Sequence, residues 1–267
     1  MKISNRIFFV TGGSSGLGLA VTESLIERNG LVCVVDWNKA KGEELEAKYN
    51  TGSFCLLCHR GDVRSESEIK RGIQRAISAW PGRSIGGLVH CAGIGGVGKT
   101  VGSQGDPGDL QVFKTVVDIN LTGSFNVARL VASQIVKLQH AKNSAETPCE
   151  DNGVIILTSS SSYQDGQVGQ AAYAASKGGI ASLVLPMARD LAKFGIRVNA
   201  IAPSLFQTEM SEQLSPAVKK NLMNAVEFPV RFGEPHEFAS LVLELIGNSY
   251  LNGTVIRIDA ASRMGKL

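Results

Sequence analysis

What this sequence lacks narrows its function before any motif is considered. No apolar stretch reaches the 18 residues expected of a membrane-spanning helix. The 43% hydrophobic content of its 267 residues is spread over short runs, which suits the core of one enzyme-sized unit, expected to span 1–267. Met1 stands a few residues before the first apolar run, leaving no room for a signal or transit peptide outside the fold, so a soluble intracellular protein is expected. Lysine and arginine form no basic run, and the net charge of +3 is dispersed, so nucleic acid is not an expected partner, although the surface can attract an anionic substrate. Cysteine is sparse and odd in number, five in all, which argues for free thiols over a disulfide framework. The glycosylation patterns at Asn120-Leu-Thr122 and Asn252-Gly-Thr254 are then expected to be silent. No second cysteine pair exists, and His59, His90, His140 and His236 form no H-E-x-x-H arrangement, so no metal site is expected.

What is present begins with Ile7-Phe-Phe-Val-Thr11, of strand length, running into Gly12-Gly-Ser-Ser-Gly16-Leu-Gly18 and then a helical pattern. Glycines in such a turn let a pyrophosphate approach the backbone N–H groups of a helix N-terminus. The next apolar run, Leu31 to Val35, ends in Asp36 about 20 residues later, where a carboxylate binds both adenosine ribose hydroxyls and repels a 2′-phosphate. NAD is therefore expected over NADP. Downstream, Tyr173-Ala-Ala-Ser-Lys177 places a phenol and an ammonium four apart on one helix face, with Ser160 thirteen residues upstream. A nearby ammonium stabilises a phenolate and lowers its pKa toward the working range of a base. These three side chains are the candidate proton-transfer group for alcohol and carbonyl chemistry.

Several patterns point elsewhere. Gly93 to Thr100 satisfies the phosphate-loop spacing G-x4-G-K-[ST], but the following Val101-Gly-Ser-Gln-Gly-Asp-Pro-Gly108 is a poor helix, which that motif requires. Cys55-Leu-Leu-Cys58-His59 matches a haem-attachment pattern, yet residues three apart in a strand face opposite ways, so buried thiols are expected. Gly12-Gly-Ser14-Ser-Gly16 fits the serine-hydrolase elbow, but Gly18 and Asp36 have no task in a hydrolase; Gly82-Arg-Ser84-Ile-Gly86 precedes its strand. Apolar runs at Ile7–Thr11, Leu31–Asp36, Phe54–His59, Gly87–Cys91, Val154–Thr158, Ile196–Ile201 and Thr254–Ile258 alternate with helical stretches at Leu17–Arg28, Asn38–Tyr49, Ser65–Trp80, Leu110–His140, Ala171–Phe194 and Glu234–Asn248. This alternation predicts an α/β, Rossmann-type doubly wound fold with a seven-stranded, mainly parallel sheet and helices on both faces. Gly93–Asp109 and Lys142–Asn152 are expected as surface loops, and Ser204–Glu227 as small helices over the cleft.

The Thr11-Gly12-x3-Gly16-x-Gly18 spacing, Asp36, Asp62-Val63, Asn120, Ser160, Tyr173 and Lys177 together resemble the short-chain dehydrogenase/reductase family over nearly all the chain. Longer strings, Gly166 to Tyr173, Ile201-Ala-Pro-Ser-Leu-Phe206, Leu251-Asn-Gly253 and Arg263-Met264, resemble its 3-hydroxyacyl-CoA dehydrogenase type 2 group. The resemblance implies Tyr173 as acid-base, Ser160 on the oxyanion, Lys177 on Tyr173 and the nicotinamide ribose, and Asn120 in a water-borne proton relay. It further implies Ser15 and Leu17 at the pyrophosphate, Asp62 and Val63 at adenine, Cys91 near the adenosine ribose with Gly93 in the same turn, and Phe206 and Thr208 toward nicotinamide. Gln167 and Leu205 become candidate substrate contacts, and the segment around 204–227 a substrate lid in which Leu205, Phe206, Met210 and Leu214 cover an acyl chain. An acyl-CoA substrate, a homotetramer and a mitochondrial location follow by the same likeness, with peroxisomal or cytoplasmic residence, a hydroxysteroid or simple alcohol substrate, and a noncatalytic NAD-binding scaffold left open. His90, Ser204 and Ala260-Ala261 depart from the family pattern: an asparagine precedes the Cys91-Ala-Gly93 turn in relatives, and glycines occupy the other two stretches.

Overall fold

The computed structural model describes residues 1–52, 54–141, 151–212 and 215–263. Runs of β-branched and aliphatic residues too short for helices form seven strands. They are β1 (Ile7–Thr11), β2 (Leu31–Asp36), β3 (Leu56–Arg60), β4 (Ile85–His90), β5 (Gly153–Thr158), β6 (Ile196–Pro203) and β7 (Val255–Ile258). Their order is β3-β2-β1-β4-β5-β6-β7, with every neighbouring pair parallel. The central strands are buried at every position, which is why they appear in the sequence as unbroken apolar runs without alternation.

Parallel strands need crossover helices, and these fall on both faces. On one face α1 (Gly16–Ile26), α2 (Lys39–Tyr49) and α10 (Pro235–Gly247) press Val21, Leu25, Leu45 and Phe238 against Phe8, Val10 and Val32. On the other, α3 (Glu66–Ala79), α5 (Gly123–Ala141) and α7 (Ala171–Leu191) press Ile69, Ile73, Val131 and Ile180 against Ile7, Phe9 and Leu88. The chain is completed by α4 (Leu110–Val117), α6 (Ser162–Asp165) and two short helices, α8 (Glu209–Glu212) and α9 (Pro216–Met223). The expected doubly wound architecture is present, and the sheet is wholly parallel among the described residues.

The differences are local. The helix expected over Leu110–His140 is divided by a π-turn at Asp118–Thr122, whose wider coil sets Asn120 toward the interior. The last turn of the helix expected to end at Phe194 tightens to a 3₁₀ turn, Ala192–Phe194, closed by left-handed Gly195. No helix opens at Lys99-Thr100, and the next begins at Leu110, so the phosphate-loop spacing lacks its structure. The strand argument that set Cys55 and Cys58 on opposite faces is corrected: Cys55 precedes β3, escapes its alternation, and packs against the same core layer as Cys58. Cys33, Cys55, Cys58 and Cys91 are free, and the Cys33 thiol is pushed far up by burial. The loop expected at Lys142–Asn152 lies outside the described residues except for its last two positions. Met264 and the Gly265-Lys-Leu267 end also lie outside them.

Ser204, where relatives have glycine, lies outside the left-handed region and its hydroxyl meets that of Ser262 at 2.8 Å, so no glycine is required there. Ala260 and Ala261 do carry strain, with φ of 48° and 56°. Ala261 is exposed, so removing its Cβ loses no packing. Ala261→Gly is expected to raise the unfolding free energy by about 1 kcal/mol, the net of relieved left-handed strain and added unfolded-state entropy, measured as a rise in the urea midpoint at unchanged slope.

Candidate active site

Because all strands run the same way, their C-terminal ends meet at one edge, and the strand order reverses between β1 and β4, where such sheets open a crevice. The glycine turn after β1 fills that crevice. Gly12 has φ of 64°, and a Cβ there would lie 3.0 Å from the Ala92 amide nitrogen. A Cβ on Gly18 would come within 2.2 Å of the Gly12 carbonyl oxygen, so α1 packs directly on the turn. Ser15 caps α1 in an extended conformation without spending its side chain on the cap, so the opening N–H groups of the helix are not covered by their own hydroxyl. Asp36 at the end of β2 is buried, and its carboxylate is oriented by the Ser14 amide at 3.2 Å, the Ser14 hydroxyl at 2.5 Å and the Asn38 amide at 3.0 Å. Glycine cradle, uncapped helix start and held carboxylate fit a dinucleotide with the adenosine ribose at Asp36. Ser14 escaped the sequence reading, since a serine between glycines gives no sign of reaching a carboxylate 22 positions away.

The residues expected at adenine are both held by neighbours. The Asp62 carboxylate is held by the Arg64 guanidinium at 2.6 and 3.0 Å, which keeps it below the usual carboxyl range, and the Asp62 amide donates to Glu68 Oε2 at 2.8 Å. Val63 is buried and its carbonyl accepts from Asn126 Nδ2 at 2.8 Å. Cys91 sits at the end of β4, its thiol accepting from the Thr158 hydroxyl at 3.7 Å and pushed up to about 11 by burial.

Ser160 follows β5, and α7 brings Tyr173 and Lys177 toward it. Tyr173 is half-buried and hydrogen-bonded to Ser160; burial raises its phenol above the usual value, and the Ser160 bond opposes that rise. The Lys177 Nζ lies 5.6 Å from the centre of the Tyr173 ring and donates to the Thr158 carbonyl at 2.8 Å. Burial pulls its own pKa down to about 8. The serine-rich run is structural as well as chemical: the Ser159 hydroxyl donates to the Lys177 carbonyl at 2.8 Å, and the Ser162 amide donates to Ser160 Oγ at 3.2 Å.

Asn120 is fully buried. Its amide hydrogens go to the Ile94 carbonyl at 2.9 Å and Ser176 Oγ at 3.1 Å, its Oδ1 accepts from the Ile94 amide at 2.8 Å, and its carbonyl accepts from Ser124 Oγ. Both amide hydrogens are committed, so Asn120 pins the turn after β4 to α7 before it can serve any relay. A Cβ on Gly93 would meet Asn120 Oδ1 at 3.1 Å and Lys177 Nζ at 3.5 Å, which shows how closely these groups converge. Ser176 and Thr158, the partners that hold Asn120 and Lys177, were missed because each does its work through a neighbour.

His90 Nδ1 meets the Thr11 hydroxyl at 2.9 Å and ties β4 to β1. Its Nε2 is buried without a hydrogen-bond partner in the described structure. Burial, reinforced by Lys177, lowers its pKa to about 3.

At the substrate end, Phe206 is buried edge-on to Phe238, with centroids 6.3 Å apart, and Thr208 packs on the glycine turn, its Cγ2 3.4 Å from the Cβ position of Gly16. Gln167 is half-buried in the turn before α7, its amide bound to Gln170 at 3.0 Å. Leu205 stands one position before Phe206 in the segment that follows β6. It lines a cavity of about 140 Å³ with Val226, Pro229 and Ile258 on the side of the C-terminal segment. A larger groove of about 360 Å³ between α3 and α5 contains none of the candidate site residues. Leu214 lies outside the described residues.

The model of the family described as short chain dehydrogenase matches residues 6–219. The chain belongs to that family. It is 41% identical over 264 residues to the 3-hydroxyacyl-CoA dehydrogenase type-2 of Bos taurus and to that of Homo sapiens, covering 98% of this chain and 97% of each relative. It is 30% identical over 261 residues to a 3-oxoacyl-[acyl-carrier-protein] reductase of Thermotoga maritima. Among solved structures, the 3-hydroxyacyl-CoA dehydrogenase type-2 of Mycobacterium avium superposes with a TM-score of 0.88 at 33% identity, covering 98% of both chains. As a short-chain dehydrogenase, the chain is an oxidoreductase acting on CH–OH groups of a small molecule. No described helix is long and apolar enough to cross a membrane.

His90 supplies a pH test. A folded pKa near 3 against an ordinary value of 6.5 means the unfolded chain binds a proton below pH 6.5 that the folded chain refuses until about pH 3, so this group makes the fold less stable as pH falls through that window. His90→Asn removes the contribution. The expected result is a shallower loss of thermal midpoint between pH 6.5 and 4 than in the wild type, read from parallel melting curves.

Proposed function

We propose that this short-chain dehydrogenase uses NAD to interconvert a short-chain 3-hydroxyacyl-CoA and the corresponding 3-ketoacyl-CoA. The observation that carries the reading is the meeting of Ser160, Tyr173 and Lys177 at the strand edge that also holds the glycine turn and Asp36. When bound, NAD accepts or gives the hydride at nicotinamide C4. In oxidation, Tyr173 takes the hydroxyl proton of a secondary carbinol, and Ser160 Oγ hydrogen-bonds the oxygen as charge develops on it. Burial works against a phenolate at Tyr173, which makes a nearby cation valuable. Lys177, at about 8, keeps most of its protons at neutral pH, and it steadies the phenolate and holds ribose hydroxyls. Asn120 holds the turn after β4 at the distance this arrangement needs. Ser15, Gly16, Leu17 and Gly18 receive the pyrophosphate, Asp36 the adenosine ribose, and Phe206 and Thr208 the nicotinamide end.

The substrate class rests on near full-length likeness to proteins named as 3-hydroxyacyl-CoA dehydrogenases. A homotetramer is the proposed assembly, for which exposed Leu110, Phe113 and Phe125 on α4 and α5 offer apolar surface. A mitochondrial location is proposed on the same likeness.

Tyr173→Phe separates enzyme from scaffold. It is expected to keep NADH binding, followed by fluorescence titration, while turnover falls at least about 100-fold, the lower range for a general acid-base group. Near-normal turnover overturns the mechanism. The substrate is tested by steady-state reduction with NADH. Acetoacetyl-CoA is expected to give a higher kcat/KM than acetoacetate or a ketosteroid, because contacts to the remote CoA part lower the barrier as well as KM. Equal or better turnover of CoA-free ketones removes the acyl-CoA reading and leaves the dehydrogenase.

A further inference from the structure

One side-chain pair joins the lid to the cofactor side of the cleft, and the chemistry described above does not use it. Lys41 Nζ, from the first turn of α2, donates to both carboxylate oxygens of Glu209, the first residue of α8, at 2.5 and 2.7 Å. Its neighbourhood decides what it does. Asp36 accepts from the Asn38 amide at 3.0 Å, and the Asn38 side chain accepts from the Lys41 amide at 3.2 Å, so Lys41 starts one capping residue from the ribose carboxylate. On the opposite side Thr208 packs on the Gly16 turn, which sets Glu209 beside the glycine loop. The other nearby lysine on α2, Lys39, is paired with Glu43 at 3.3 Å.

Stability does not explain the pair. The two side chains are 35% and 62% exposed, and a pair so solvated contributes little to folding. Its effect is on where a cation stands. A 2′-phosphate at the ribose of Asp36 calls for a cation within a side chain's reach, and the Lys41 ammonium is engaged by the Glu209 carboxylate.

We propose that Glu209 is a specificity-determining residue: by holding Lys41 it withholds the cation that would receive a 2′-phosphate, and so favours a dinucleotide with a free 2′-hydroxyl. This rests on the NAD reading, in which Asp36 binds the ribose. Asp36 acts by direct contact and repulsion; Glu209 acts from the lid by occupying the competing partner. Arg60, exposed at the register position opposite Asp36, is a second cation on that edge, and it is the same in every variant compared.

The test uses nucleotides without nicotinamide, so that it reads binding apart from turnover. Affinities for 5′-AMP and adenosine 2′,5′-bisphosphate are measured by titration calorimetry on the full chain as wild type, Glu209→Gln, Lys41→Met and the double variant. Glu209→Gln is expected to improve the bisphosphate-to-AMP affinity ratio by about 3-fold or more, with the gain falling as salt is raised. Lys41→Met alone is expected to leave the ratio at the wild-type value, and the double variant to lose the gain. An unchanged ratio in Glu209→Gln overturns the inference, as does a gain that survives removal of Lys41. The NAD reading fails on a different result: a wild type that binds the bisphosphate more tightly than AMP, and turns over NADPH as well as NADH.

Discussion

Parallel pairing is the constraint on which the site depends. Six in-line pairings carry every strand to the same edge, and their register levels the ends: Thr11 stands opposite Val35 and His90, and His90 opposite Leu157. The glycine turn, Asp36, the Cys91 turn and Ser160 therefore follow adjacent strands onto one rim without any long-range device to gather them. The other end of the sheet is held differently. Arg197, buried in β6, pairs with Asp151 and donates to the carbonyls of Leu245, Ile246, Asn248 and Leu251, so its charge is fully spent on closing α10 against the sheet. A buried guanidinium with every donor engaged fixes geometry more than it adds net stability.

At the active rim the ionisable groups are positioned by desolvation as much as by each other. Burial raises Tyr173 and Cys91 and lowers Lys177 and His90, each toward its neutral form. Neutral His90 avoids a second cation beside Lys177, and its bond to Thr11 keeps β1 and β4 joined below the glycine turn. Lys177 is tethered at both ends: its carbonyl receives the Ser159 hydroxyl and its ammonium reaches the Thr158 carbonyl. Two consecutive residues of β5's end thus place the one cation of the proton-transfer group, while the third, Ser160, reaches Tyr173.

The segment that follows β6 is joined to this rim through backbone and charge more than through apolar cover. Phe206 anchors its stem in the core against Phe238, Thr208 rests on the glycine turn, and Glu209 reaches across to α2. Leu205 faces the C-terminal segment, where left-handed Ala260 accepts backbone bonds from Glu227 and Phe228. The strain at Ala260 and Ala261 thereby sits where that segment returns to the body of the fold.

The sequence by itself determined the layers, because strands buried on both faces must be continuous apolar runs and crossover helices must be amphipathic; β1 and β2 stand at the residues their apolar runs mark. It also determined the chemistry, since a phenol, an ammonium and a hydroxyl at fixed spacing have few other uses together. Tertiary structure decided what local spacing cannot encode. The π-turn at Asn120 arises because that side chain is claimed by Ile94 and Ser176, residues 26 and 56 positions away. Ser14 became a partner of Asp36, Cys55 slipped the alternation of β3, and Lys177 turned to Thr158 for the same reason. Hydrogen-bond partners brought together by packing are set by the three-dimensional path of the chain, and a buried polar group takes whichever partner that path delivers.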